Sequence, residues 1–283
     1  MLRIAIEPNT FVIKKSQDTQ NPYIHHVPVD KVTVQCQHDK LFKALPTLLP
    51  AKFEPRVSVP DLVFVANGGL ALPRFGRPVV ILPYMKYAQR KRELPYLKQL
   101  LDAMHITTIP FPGSQDAPFE GQAELKWFHG GKKAICGPGY RSTLKTFTIL
   151  EKLLRKLYTA EGLHPPELLV VPIECFDYYH LDVAMLEYDD SKCIVHSKAF
   201  SAKSIEKIRA FLGAENVTVL DTDDSFCLNA IIDGKRLVTH KLQEVGLKKT
   251  LEDITAKKIY EVETSEFEKS GGSVRCMVLD IFL

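Results

Sequence analysis

A chain of 283 residues is long enough to bury one large core or two smaller ones. Its 37 Lys and Arg against 34 Asp and Glu lack the basic excess of a nucleic-acid surface, and no apolar run approaches the roughly 20 residues that span a bilayer. The six cysteines, at 36, 136, 175, 193, 227 and 276, form no CxxC pair, which argues against a zinc site and for free thiols in a reducing, cytoplasmic compartment.

The chain opens on a strand pattern, RIAIEP (3–8), that carries Glu7 and does not read as a signal peptide. A helical pattern follows in HDKLFKALPTLL (38–49). Two strand-like runs come next, LVFVANGGLAL (62–72) and PVVILP (78–83). The spacing predicts a helix over 87–105, with Pro95 in its first turn or marking its start. After strands TTIPFP (107–112) and KAICG (133–137), apolar residues recur every three or four positions over 142–160. There Ser142 is the candidate N-cap and Gly162 the stop. Strands ELLVVPI (167–173), AMLEY (184–188) and CIVHS (193–197) lead into a helix over 201–213. Then come VTVLD (217–221), RLVTH (236–240), a helical pattern over 240–254 that Gly246 interrupts, KIYEVE (258–263) and VRCMVLDIF (274–282). About five strand–helix groups result, without a linker or a precise repeat. One continuous α/β domain over residues 1–283 is the economical reading. Periodicity alone does not separate a layered sheet from a propeller-like arrangement.

Four stretches combine polar chemistry with tight local geometry. PDLVFVANGG (60–69) ends in Asn-Gly, a hairpin turn signal; the functional alternative sets Asp61 and Asn67 at a strand edge facing a ligand. In FPGSQDAPFEGQAEL (111–125), Glu120 precedes Gly121 and either projects into a cavity or is solvated. In DYYHLDVAM (177–185), His180 and Asp182 are two apart and on a strand would share a face, as an acid/base pair or as core residues. The last stretch, KSGGSVRCMVLDIFL (269–283), offers Cys276 behind Gly271, Gly272 and Ser273, as a nucleophile or a buried plug.

Taken in order, PDLVFVANGG, RKRE, FEGQAE, GPGYRS, YYHLD and GGSVRCM resemble the guanidino-modifying, amidinotransferase-like (pentein) superfamily. Its members include arginine deiminases, dimethylarginine dimethylaminohydrolases, glycine amidinotransferases and arginine dihydrolases. The phrase VFVANGGL is closest to the arginine dihydrolase-like branch; many relatives carry an aspartate where this chain has Asn67. Glu124 also stands where an aspartate is common, and Gln122 where a small residue is.

The resemblance implies an α/β fold, a pseudo-fivefold α/β propeller of ββαβ-type units. It implies Cys276 as nucleophile, His180 as general acid/base and Glu120 as the acid that orients the histidine and contacts the substrate. Asp182 resembles a carboxylate that binds the guanidinium. Asn67 and Asp61 fall at the substrate site, and Arg90 and Arg141 resemble arginines that hold the substrate's carboxylate in some relatives. The implied activity is hydrolysis of arginine or a related guanidino compound through a covalent thiouronium. The alternatives are transfer of the amidino group to an amine and a non-catalytic propeller-fold binding protein. No cofactor or metal is implied, and the expected partner is a small guanidino substrate, not nucleic acid or membrane. Relatives are often dimers, so a homodimer is the assembly expected by analogy.

Overall fold

The computed structural model describes residues 1–13, 21–24 and 27–283. Its strands are β1 (Leu2–Ile6), β2 (Leu48–Ala51), β3 (Leu70–Ala71), β4 (Val79–Leu82), β5 (Thr107–Pro110), β6 (Leu125–Phe128), β7 (Lys133–Cys136), β8 (Glu167–Val170), β9 (Met185–Glu187), β10 (Cys193–His196), β11 (Val217–Leu220), β12 (Ile231–Asp233), β13 (Arg236–His240), β14 (Lys258–Val262) and β15 (Leu279–Ile281). The helices are α1 (Lys31–Ala44), α2 (Ala88–Lys91), α3 (Leu94–Ala103), α4 (Leu144–Ala160), α5 (Leu181–Ala184), α6 (Ala202–Leu212), α7 (Leu247–Thr255) and α8 (Ser265–Glu268).

These strands form five three-stranded sheets with one plan: β15-β1-β2, β3-β4-β5, β6-β7-β8, β9-β10-β11 and β12-β13-β14. In each, the first pair is antiparallel and the second parallel. A parallel pair needs a crossover, and a helix supplies it each time: α1, α2 with α3, α4, α6 and α7. The first sheet joins the two ends of the chain, with Leu2 opposite Ile281 and Ile4 opposite Leu279.

Five apolar clusters each join two sheets. Ile4 and Ile6 of β1 pack with Val80 and Leu82 of β4. Leu70 and Ile81 meet Leu125 and Ala134. Phe128 and Ile135 meet Met185 and Val195. Leu186 and Ile194 meet Leu237 and Ile259. Val238 and Val262 of the fifth sheet meet Ala5 and Leu48 of the first.

The helix expected over 38–49 runs from Lys31 to Ala44, and Leu48–Ala51 is a strand. Asp30 starts that helix by accepting from the N–H groups of Val32 and Thr33, which outweighs the low helix propensity of Val32, Thr33 and Val34. The cap of α4 is Thr143, not Ser142: Thr143 and Thr146 exchange side-chain and backbone hydrogen bonds in a capping box. Pro95 lies in the first turn of α3, as expected, and Ser201 caps α6. The helix expected over 240–254 begins only after Gly246.

Two apolar runs read as strands are mostly irregular. Within 62–72 only Leu70–Ala71 is strand, and Val65–Gly68 is a 3-10 turn, so Asn67-Gly68 is not a hairpin corner. Within 274–282 only Leu279–Ile281 is strand. Both runs are buried, so their backbone polar groups need partners. They find some in each other and in distant side chains: Ala66 N–H donates to the Cys276 carbonyl (3.0 Å), and Gln122 Nε2 to that of Val278 (2.7 Å). Among the described residues no helix is long and apolar enough to cross a membrane.

Candidate active site

Cys276 sits on the buried turn between α8 and β15. The turn is held close by Gly272, where a Cβ would lie 2.1 Å from the Phe64 ring, so no larger residue fits without moving that ring. Cys276 Sγ lies 3.2 Å from Asn229 Nδ2 and 3.5 Å from Asp182 Oδ2. Burial, and then the Asp182 carboxylate, push the thiol well above its ordinary pKa. At rest the sulfur is therefore protonated.

His180 and Asp182 are not on a strand. His180 is the N-cap residue of α5 and Asp182 lies in its first turn. That single turn still sends both into the same region, by helical rather than strand geometry. His180 Nε2 meets Glu120 Oε2 at 2.9 Å. Asp182 is fully buried, and among the described residues its Oδ1 has no hydrogen-bond partner.

Glu120 precedes the 3-10 turn Gly121–Glu124, and Gly121 must be glycine: φ is +65° and a Cβ would meet the Gly69 carbonyl oxygen at 2.7 Å. The Glu120 carboxylate is fully buried, not solvated. It accepts from Arg141 Nη1 at 3.1 Å and from the Lys86 N–H at 3.3 Å. Burial alone would raise its pKa, but Arg141 and His180 hold it well below the usual carboxylate range. Glu124 behind it goes the other way: burial and the Glu120 charge push its pKa well up. Its Oε2 accepts the Glu120 N–H at 3.2 Å.

Arg90 is buried and committed to protein acceptors. It forks onto Glu93 through Nε (3.0 Å) and Nη2 (2.9 Å), reaches the carbonyls of Asp61 and Phe64, and donates through Nη1 to Asn67 Oδ1 at 2.9 Å. That last bond fixes the Asn67 amide, whose Nδ2 lies 3.5 Å from both His180 Nε2 and the Glu120 carbonyl. The Arg141 guanidinium lies 5.0 Å and 4.8 Å from the ring centres of Tyr87 and Tyr179.

Asp61, Asn67, Arg90, Arg141, His180 and Cys276 line one cavity, together with Phe64, Tyr179 and Ser270 among others. Glu120 and Asp182 lie beside it, bonded to His180 and Cys276. The eight sequence candidates thus converge. Sequence reasoning missed Asn229, whose one signal was an amide alone in the apolar run FCLNAII (226–232). Among the described residues no group of three or more His, Cys, Asp or Glu is placed to hold a metal ion.

No family model matches the chain. It is 28% identical over 232 residues to the bifunctional arginine dihydrolase/ornithine cyclodeaminase ArgZ of Synechocystis sp., a match covering 81% of this chain and 30% of that protein. It therefore spans about 30% of the length of that relative. It is 26% identical over 268 residues to the N(G),N(G)-dimethylarginine dimethylaminohydrolase of Mycobacterium tuberculosis, covering 92% of this chain and 80% of that protein. Among solved structures, the N-terminal domain of ArgZ, covalently bound to a reaction intermediate, superposes with a TM-score of 0.82 at 22% identity, covering 98% of this chain and 96% of that one. The chain is thus similar in sequence to arginine dihydrolase/ornithine cyclodeaminase and dimethylarginine dimethylaminohydrolase proteins, and similar in fold to the N-terminal domain of ArgZ.

Proposed function

We propose that the protein is a cysteine-nucleophile hydrolase acting on the guanidino group of arginine or a related guanidino compound. The observation that carries this reading is the pairing at the sulfur: a buried thiol 3.5 Å from a buried carboxylate whose second oxygen has no partner among the described residues. An unpaired carboxylate oxygen in that setting is costly, and a planar cation with several N–H donors relieves the cost. Homology to arginine dihydrolase and dimethylarginine dimethylaminohydrolase proteins favours the same class of substrate.

The chemistry follows from the charges. A guanidinium bound between Asp182 and Glu120 brings positive charge beside Cys276 and favours the thiolate. His180 takes the thiol proton. Sγ attacks the guanidinium carbon, and the tetrahedral adduct collapses as His180 protonates the departing amine. The C–N bond breaks and an S–C bond remains in a covalent thiouronium. His180 then removes a proton from water, the water oxygen adds to the same carbon, and the S–C bond breaks to regenerate the thiol. Arg141, its cation flanked by two aromatic rings, is the better placed of the two arginines for a substrate carboxylate. Arg90 acts by holding Asn67.

We further read the five sheets as a closed pseudo-fivefold α/β propeller forming one domain. Each core cluster joins one sheet to the next, and the last returns to the first, which supports that reading.

The test is product analysis. Arginine and a panel of guanidino compounds are incubated with the protein, with and without glycine or lysine as acceptor, and ammonia, citrulline, ornithine and transfer products are measured. Turnover that falls at least about 1,000-fold in Cys276→Ser, with a mass-shifted Cys276 peptide in the parent, supports the hydrolase. Amidino transfer to the added amine would make it a transferase. No turnover and no adduct across the panel would leave a binding protein.

A further inference from the structure

One residue at the sulfur has no part in the chemistry above. Asn229, on the segment between β11 and β12, is fully buried. Its Oδ1 accepts the backbone N–H groups of Arg275 (2.9 Å) and Cys276 (3.3 Å). Those two donors settle which end of the amide faces them, because an NH2 group there would meet two N–H groups. Nδ2 must therefore point the other way. It lies 3.1 Å from the Asp182 carbonyl oxygen and 3.2 Å from Cys276 Sγ.

The amide is thus held at four points, and one N–H is aimed at the sulfur before any ligand arrives. The Asp182 carboxylate, 3.5 Å from the same sulfur, opposes a thiolate. A fixed neutral donor is the opposite kind of neighbour. Its bond to sulfur strengthens as negative charge develops, and it needs no reorganisation.

We infer that Asn229 is a catalytic residue: its Nδ2–H stabilises the Cys276 thiolate during attack and again when sulfur leaves, while its Oδ1 holds the backbone that carries Cys276. This rests on the hydrolase reading, and its test separates the two.

Asn229→Asp keeps an oxygen for the two backbone donors and nearly the same volume. It replaces the N–H facing the sulfur with a carboxylate oxygen. Two measurements are made on the parent and the variant, alongside thermal melts. The first is the rate of Cys276 alkylation by iodoacetamide, a neutral reagent, against pH, read on the Cys276 peptide by mass spectrometry without substrate. The second is kcat and KM on the guanidino compound the parent turns over.

Expected in Asn229→Asp are an alkylation midpoint at least about one pH unit higher and a kcat lower by about 100-fold, with KM changed less than about threefold. An alkylation profile and kcat within about twofold of the parent overturn the inference, because a donor that stabilises the thiolate cannot be exchanged for a carboxylate oxygen without moving the sulfur's titration. If Asn229→Asp does not fold, Asn229→Ala removes the donor without adding charge, and an unshifted alkylation midpoint there overturns it equally. A shifted midpoint in a protein that turns over no guanidino compound removes both the hydrolase reading and the catalytic assignment. A parent that turns over substrate while the variant's alkylation is unshifted removes only the role of Asn229.

Discussion

At the scale of residues, the site is a set of opposed charges held apart by covalently distant anchors. Against burial, Arg141 and His180 pull the Glu120 pKa down, while burial and the Glu120 charge push that of Glu124 up. Asn67 stands between the Arg90 cation and His180. It accepts from Arg90 and faces His180 and the Glu120 backbone. Asn67→Asp would still accept from Arg90, but it would add a negative charge beside Glu120 and alter how the guanidinium is shared among carboxylates. The expected outcome is a change of at least about tenfold in substrate preference or in the citrulline-to-ornithine ratio, read by product analysis. An unchanged ratio would place Asn67 outside substrate choice. The candidate residues were legible through the short motifs that hold them, taken in chain order: PDLVFVANGG, RKRE, FEGQAE, GPGYRS, YYHLD and GGSVRCM. Asn229 was not, since a lone amide in the apolar run FCLNAII belongs to no such motif.

At the scale of elements, caps decided boundaries that periodicity left open. The helix α4 begins at Leu144 because Thr143 and Thr146 satisfy each other's exposed groups. Thr143→Ala is expected to lower stability by about 1 kcal/mol with kcat unchanged, measured by denaturant melts beside an activity assay. A loss several times larger would mean that the Thr143 hydroxyl bond to the Asp116 carbonyl matters more than the cap. The His-x-Asp pair reached the site by a helical turn where strand alternation had been expected. The helical turn still brings His180 to Glu120 and Asp182 to Cys276.

At the scale of the whole molecule, small repeated sheets are joined by shared apolar clusters, and polar struts tie the fifth sheet to the turn that carries Cys276. His240 of β13 is one strut, with Nε2 2.7 Å from Asp224 Oδ1 and Nδ1 3.1 Å from Glu268 Oε1. Glu268 also accepts from Thr264, which bonds Ser273 on the turn leading to Cys276. Burial lowers the His240 pKa, but the two carboxylates outweigh it and raise it from 6.5 to about 9. A folded-state pKa above the unfolded one stabilises fully below the unfolded value and is lost as pH rises through the folded value. The window is therefore about 6.5 to 9. Thermal melts from about pH 6 to about pH 10 are expected to show the parent losing its advantage over His240→Asn across that window. An advantage independent of pH would mean that His240 is neutral in the folded protein.

The sequence by itself determined the local pieces: most strands, the starts of several helices, the count of five groups and the residue types able to carry thiol chemistry. These follow from nearest-neighbour rules, alternation, caps and turn residues, which need no knowledge of the rest of the chain. Only the tertiary structure decided what the long apolar runs at 62–68 and 274–278 become. They resemble strands because they are buried. They are irregular because their polar groups are satisfied by Gln122, by Asn229 and by each other rather than by a strand ladder. The contacts that define the sulfur's surroundings span 47 residues to Asn229 and 94 to Asp182. No local pattern encodes a hydrogen bond across such a separation, so the thiol's environment exists only once the sheets have packed.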